Sequence, residues 1–171
     1  MRDRRNAKAK RWRAGWGLAM LACLAVGPAA AQAPETASRQ SIYLPVYSHV
    51  YYGNPDKETQ RPSQTLVSAH ISIRNTDART PITVGSAKYY DTDGKLLREF
   101  VPLPRCVPPL GTLELFVPRA DTSGGSGANF LIEWSSAQPV SAPLIEALHA
   151  DIREARTLFF VTTGRVVHQA R

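Results

Sequence analysis

Cysteine is the first shortage. Among the 171 residues there are two, Cys23 and Cys106, so one internal disulfide at most is available and a disulfide-stapled scaffold is excluded. Long apolar runs are also scarce. The stretch from Trp16 to Val26, broken only by Gly17, falls short of the about 20 residues that a stable membrane span needs. The four histidines are His49, His70, His149 and His168, and none has the short spacing of a helix-borne zinc pair. Strand–helix alternation is missing too, which argues against a nucleotide-binding α/β fold.

What is present begins with positive charge. Arg2, Arg4, Arg5, Lys8, Lys10, Arg11 and Arg13 crowd the first thirteen residues against a single acid, Asp3. The apolar stretch follows, then Gly27, Pro28 and a run of alanines. This order is that of a secretory signal, with the cations held on the cytoplasmic side while the apolar stretch enters the membrane. Ala29 and Ala31 meet the small-residue requirement of a signal peptidase, so cleavage is expected after Ala31, with Ala33 as the alternative. Residues 1–31 are therefore read as the export signal. They hold seven of the 21 basic and one of the 14 acidic residues, so the chain's net charge of +7 falls to +1 beyond them. A nearly neutral domain has no electrostatic claim on nucleic acid or anionic lipid. Cys106 would then stand alone, which a domain of about 140 residues can tolerate because it can bury a sufficient core. Cys23, in Met20-Leu21-Ala22-Cys23, resembles a lipoprotein box and offers an alternative in which the mature chain is tethered by a lipid.

Beyond the signal, residues 32–40 are polar and read as a tether. From Ser41 the pattern has period two. Ile42, Leu44, Val46 and Val50 share one parity, Tyr43, Tyr47, His49 and Tyr51 the other, which predicts a strand with one face buried. Pro45 lacks an amide donor and suggests an edge strand or a bulge. Thr65 to Arg74 predicts a second strand, with Val67, Ala69, Ile71 and Ile73 facing one way and His70, Ser72 and Arg74 the other. Ile82–Tyr90 and Leu96–Val101 flank Asp91-Thr92-Asp93-Gly94, a hairpin signal. The same acids resemble part of a calcium loop but lack its closing glutamate. Pro102 to Pro109, with four prolines, predicts an extended crossing segment. Thr112–Val117 and Asn129–Ser135 predict strands, the latter with Phe130, Ile132 and Trp134 on a core face. Leu144, Leu148 and Ile152 fit a helical stripe as well as a strand; two strands joined near Arg153 to Arg156 are the reading adopted. Seven or eight short antiparallel strands over residues 41–168 predict an all-β, immunoglobulin-like sandwich.

The segments LPVYSHVYYG, ISIRNTD, KYYDTDGKLLREF, PPLGT, DTSGGSGANFLIEW and TTGRVV resemble the bacterial family named domain of unknown function 3124, from about Ile42 to Val167. The resemblance implies an exported or lipid-anchored protein and supplies no catalytic residues.

Three groups of residues are candidates for chemistry. Asp121-Thr122-Ser123-Gly124-Gly125-Ser126-Gly127 can converge backbone N–H groups on an anion, with Asp121 and Asn129 as polar edges. A phosphate loop needs a lysine and a following helix, so a sharp inter-strand connection is the simpler reading. His49 and His70 could meet across neighbouring strands as metal ligands, although surface histidines are the simpler alternative. Tyr47 and His49 beside His70 and Arg74 could form an aromatic, hydrogen-bonding patch suited to a peptide, a glycan or a protein. Cys106, Ser123 and Ser126 have no nucleophile context. The expectation is a periplasmic or secreted cell-envelope binding or interaction module. It would have no cofactor and no nucleic-acid partner, and would engage an envelope protein, peptide or glycan. A metal-binding protein or metal-dependent enzyme using His49 and His70 is the alternative.

Overall fold

In a computed structural model, which describes residues 36–169, the chain alternates between strand and turn, with no helix among those residues. The export signal and Cys23 lie outside the described residues. Twelve strands follow in order: β1 Thr36–Pro45, β2 His49–Tyr52, β3 Ser63–Leu66, β4 Ser68–Arg74, β5 Ile82–Tyr90, β6 Leu96–Glu99, β7 Arg105–Val107, β8 Thr112–Val117, β9 Asn129–Ser141, β10 Leu144–Arg153, β11 Arg156–Thr163 and β12 Arg165–Gln169. They pair antiparallel throughout. One sheet has six strands in the order β12-β1-β9-β5-β6, with β7 also on β5; a second has four, β11-β10-β4-β8; β2 and β3 form a two-stranded pair.

The count exceeds seven or eight because two expected strands break and because β7 and β12 are strands of their own. Pro45 cannot donate to a ladder, and beyond it the chain turns away. Val46 N–H donates to Ala128 O at 2.8 Å and Ser48 N–H to Gly125 O at 2.9 Å, so β1 stops and β2 starts in a different sheet. Val67 N–H likewise donates to Ser48 O at 3.0 Å, which divides Thr65–Arg74 into the end of β3 and all of β4. The proline-rich crossing segment is also more regular than expected, since β7 within it pairs Ile82–Val84 of β5.

Two further corrections concern the start of the domain. The residues read as a tether already belong to β1 from Thr36, where Ala37 and Gln40 are buried. Their partners come from the far half of β9, with Ala37 opposite Val140 and Gln40 opposite Trp134. Residues 136–139 of β9 have no registered partner on β1, so Pro139 sits where no ladder donor is lost. Strand β1 is also no edge, because it lies between β12 and β9. Residues 144–152 are strand, resolving the earlier ambiguity, and β10 turns into β11 with Arg153 opposite Arg156, where the hairpin was expected.

Both large sheets feed one core. Phe130, Ile132 and Trp134 of β9 and Ala87 and Tyr89 of β5 join Ile71 and Ile73 of β4, Val117 of β8 and Ala147 of β10, all nearly inaccessible to solvent. Each large aliphatic so buried stabilises the fold by about 1.5–3 kcal/mol before entropy is counted. Tyr89 stacks on Phe130 with ring centroids 4.9 Å apart, and Phe100 meets Phe130 edge-on at 5.0 Å.

Candidate functional site

The core-facing row of β10 changes character along its length. Period-two alternation puts Ile145, Ala147, His149, Asp151 and Arg153 on one side, and the first four are buried. The ladder sets Thr162, Phe160, Leu158 and Arg156 of β11 opposite Ala147, His149, Asp151 and Arg153. The row thus begins in aliphatic core and ends in a carboxylate between arginines.

Asp151 is 1% exposed, a depth at which a carboxylate must be paired and hydrogen-bonded. Its Oδ1 lies 3.1 Å from Arg119 Nε and 3.0 Å from Arg153 Nε, and its Oδ2 lies 3.3 Å from Arg156 Nη2. Thr65 Oγ1 donates to Oδ2 at 3.1 Å and accepts from Arg156 Nη2 at 2.9 Å. The hydrogen bond from Arg153, foremost, then that from Thr65 and the charges of Arg153 and Arg119, hold the Asp151 carboxyl down to about 2 against the opposing effect of burial. Tyr52, first, and then Asp151 push Arg156 further toward its protonated form. Each guanidinium side chain remains 47% exposed. Arg153 and Arg156 line an open cleft of about 590 Å³ together with Tyr52, Gln64, Thr65 and Thr122 among others, while Arg119 lies outside that lining. Three separate segments meet there: the β2–β3 pair, the glycine-rich loop and the β10–β11 turn.

One step inward, His149 is fully buried. Its Nε2 accepts the Tyr47 N–H at 3.1 Å, so Nδ1 carries the proton of the neutral ring. The ring lies parallel to Phe160, centroids 4.5 Å apart, with Tyr47 edge-on at 5.7 Å. Burial pushes the His149 pKa down to about 4, outweighing the carbonyls of Ala147 and Phe160 that favour the cation.

The residues singled out from the sequence are dispersed. His49 lies on β2 opposite Leu66, and His70 on β4 opposite Phe116 and Leu148. These strands are not neighbours, so the imagined His49–His70 pair does not form. His49 packs edge-on against Tyr51 at 4.9 Å. His70 faces outward, 3.3 Å from Glu114, within a registered row of exposed Phe116, Leu148 and Val161. Arg74 is exposed at the end of β4, opposite Thr112 and Leu144. Tyr47 sits between β1 and β2 and packs on His149 and Phe160. Asp121 accepts from Ser123 and lies 3.6 Å from Arg98, while Asn129 opens β9 opposite Pro45 and Tyr90. The glycine-rich loop is tied to its surroundings. Gly124 O accepts from Thr92 N–H and Thr92 Oγ1, both at 3.0 Å, Gly127 N–H donates to Thr92 Oγ1 at 3.0 Å, and Gly125 takes φ +74°. These bonds describe an inter-strand connection. Among the described residues, no three His, Cys, Asp or Glu side chains converge as a metal would need.

Residues 39–167 match the family described as protein of unknown function (DUF3124). The chain belongs to that family. No curated protein matches the chain. A solved structure titled Crystal Structure of Thermotoga maritima 1070 is similar at 14% identity and a TM-score of 0.40, covering 78% of this chain and 97% of that one. A likeness so distant says nothing about ligand or activity.

Membership in a family without an assigned activity leaves the cleft to be read from its own chemistry. Apart from Thr122 of the glycine-rich stretch, the residues that build it were not among the sequence candidates. One signal existed: Asp151 shares parity with Ile145 and Ala147, and an acid in a core parity needs cationic partners. Reading it required knowing that residues 144–152 form a strand, which their spacing left open.

Proposed function

We propose that this protein is an exported, non-catalytic binding module whose ligand enters the cleft beside Asp151. The observation that carries the reading is the convergence of Arg119, Arg153 and Arg156 on one buried carboxylate at the rim of an open, polar-lined depression. Interfaces built on positioned arginines and tyrosines suit specific recognition. In this reading residues 1–31 direct export and are removed after Ala31, or Cys23 is lipidated and retained at the membrane. The mature chain folds as an immunoglobulin-like antiparallel β-sandwich, a description supported by the single core shared between the six- and four-stranded sheets. The ligand belongs to an envelope protein, peptide or glycan, and the net charge of +1 beyond the signal gives nucleic acid no advantage.

Cell fractionation combined with site-specific photocrosslinking tests the proposal. A photoreactive residue at Gln64, on the cleft, should give a defined adduct in the envelope fraction. The same probe at Leu103, which is 74% exposed and outside the cleft, should not. Retention in the cytoplasm, or equal labelling from both positions, would overturn the reading.

A further inference from the structure

The cleft offers more positive charge than its own carboxylate absorbs. Arginine stays protonated at any physiological pH, and Asp151 is the one acid in contact with all three guanidinia. The cluster therefore carries a net charge of about +2 by this count of formal charges. Nearby acids reduce this charge without cancelling it. Asp121, next to Thr122, is engaged by Arg98 and Ser123, and Glu154 is exposed in the β10–β11 turn. A guanidinium has five N–H donors, and Asp151 and Thr65 occupy few of those available. Arg153 meets the carboxylate through Nε, an approach that leaves its terminal nitrogens to other acceptors.

Geometry adds to charge. Arg153 and Arg156 are directly opposed across the hairpin, so they present two forks side by side. Their carboxylate-bound ends are fixed, and fixing them in advance reduces the ordering cost that a ligand would otherwise meet. Planar guanidinium forks match the paired oxygens of carboxylates and phosphates. Thr122, Gln64 and Tyr52 line the same cleft and supply neutral hydrogen-bonding groups for whatever is attached to the anion.

Building on the cleft as the binding site, we propose that it takes an oxyanionic ligand, with a carboxylate or phosphate group seated on Arg153 and Arg156. The mature chain, labelled with ¹⁵N, is titrated with sodium phosphate and separately with sodium citrate, at constant ionic strength set with sodium chloride. N-acetylglucosamine serves as the neutral ligand. The Nε–H resonances of Arg153 and Arg156 should move saturably with phosphate, citrate or both, and the comparison tells which oxyanion is preferred. Chloride alone should not reproduce the effect. Arg156→Gln should weaken binding by about tenfold, the worth of one charge-assisted hydrogen bond, while Arg105→Gln, exposed on β7 and outside the cleft lining, should leave it unchanged. The wild-type resonances answer the question even if the arginine variants fold poorly. Linear shifts indistinguishable from chloride would overturn the proposal, as would unchanged affinity in Arg156→Gln and Arg153→Gln. Saturable binding of the neutral sugar at Gln64 and Thr122, without anion binding, would discard the oxyanion and keep the cleft as a binding site.

Discussion

Gly124 provides a quantitative check on the packing of the glycine-rich loop. It is absent from the positive-φ glycines, so its lack of a side chain serves space and not backbone conformation. A Cβ built there would collide with the Tyr89 hydroxyl and lie 2.7 Å from Ala128 Cβ and 2.8 Å from Tyr89 Cζ. Neither neighbour can yield easily. Tyr89 is 1% exposed and Ala128 2%, and the Tyr89 ring is held between Phe130 and Phe100. Overpacking a filled core costs about 1–3 kcal/mol, and displacement of Tyr89 would also strain its 3.3 Å hydrogen bond to Ser48, worth about 1 kcal/mol. Gly124→Ala should therefore destabilise by about 3 kcal/mol, lowering the melting midpoint by about 10 °C in a domain of this size. Gly94→Ala is the matched comparison. Its φ is +80° and nothing lies within 4 Å of the built Cβ, so only backbone strain of about 1–2 kcal/mol applies. Thermal melts and urea unfolding of the mature chain give both values. In the Gly124→Ala background, Tyr89→Phe should cost less than it does alone, because it removes the closest colliding atom. A Gly124→Ala loss no larger than that of Gly94→Ala, or strict additivity with Tyr89→Phe, would refute the steric account.

His149 predicts acid sensitivity. Its folded pKa of about 4 lies below the ordinary 6.5, so the unfolded chain binds more protons between these values and stability falls as pH drops from about 6.5 to about 4. The loss approaches about 3 kcal/mol, and denaturation curves across that range should flatten in His149→Gln. Asp151, held down to about 2, contributes stability above its ordinary value and loses it only as pH falls from about 4 toward 2. Asp151→Asn should lower the melting midpoint and, because it releases the arginines it holds in place, make the protein respond less strongly to added phosphate than wild type does; equal responses in scanning calorimetry would count against that positioning role. Lys at Val161, which is 55% exposed on the edge strand β11, should raise the solubility limit while changing stability by less than about 0.5 kcal/mol. Intact mass of the exported protein should correspond to a chain beginning at Gln32; a lipid-modified mass beginning at Cys23 would replace that reading.

Local alternation made much of the fold legible. Phe130, Ile132 and Trp134 face the core as their spacing required, Thr112–Val117 is a strand with the expected bounds, and the Asp91–Gly94 turn joins β5 to β6. Alternation could not show where a strand changes sheet. Val46 and Val50 continue the parity of Ile42 and Leu44, yet the chain between them leaves one sheet for another, because the amides of Val46 and Ser48 bond to the glycine-rich loop. The polar beginning of β1 was equally hidden. Gln40 looks like tether until its burial and its hydrogen bond to Gln169 are seen. The cluster around Asp151 was the least legible part, since its arginines come from positions 119, 153 and 156 and its threonine from 65, a set joined only by strand pairing across the four-stranded sheet and the β2–β3 pair.

Stability alone is a weak reason for Asp151 to occupy its position. An apolar residue there would complete the row begun by Ile145 and Ala147, and such replacements of buried ion pairs are often neutral or stabilising. The carboxylate does something an apolar side chain cannot. With both oxygens engaged it fixes Arg119, which follows β8, beside two arginines of the β10–β11 turn. Three long side chains that would otherwise sample many rotamers are held at one carboxylate, and two of them, Arg153 and Arg156, line the cleft. Their loss of freedom is met on folding, before any ligand arrives, so an incoming oxyanion would bind to cations already in place. The arrangement is therefore better explained by the position it gives the guanidinia than by the energy of the ion pairs, and it is that position the anion titrations measure.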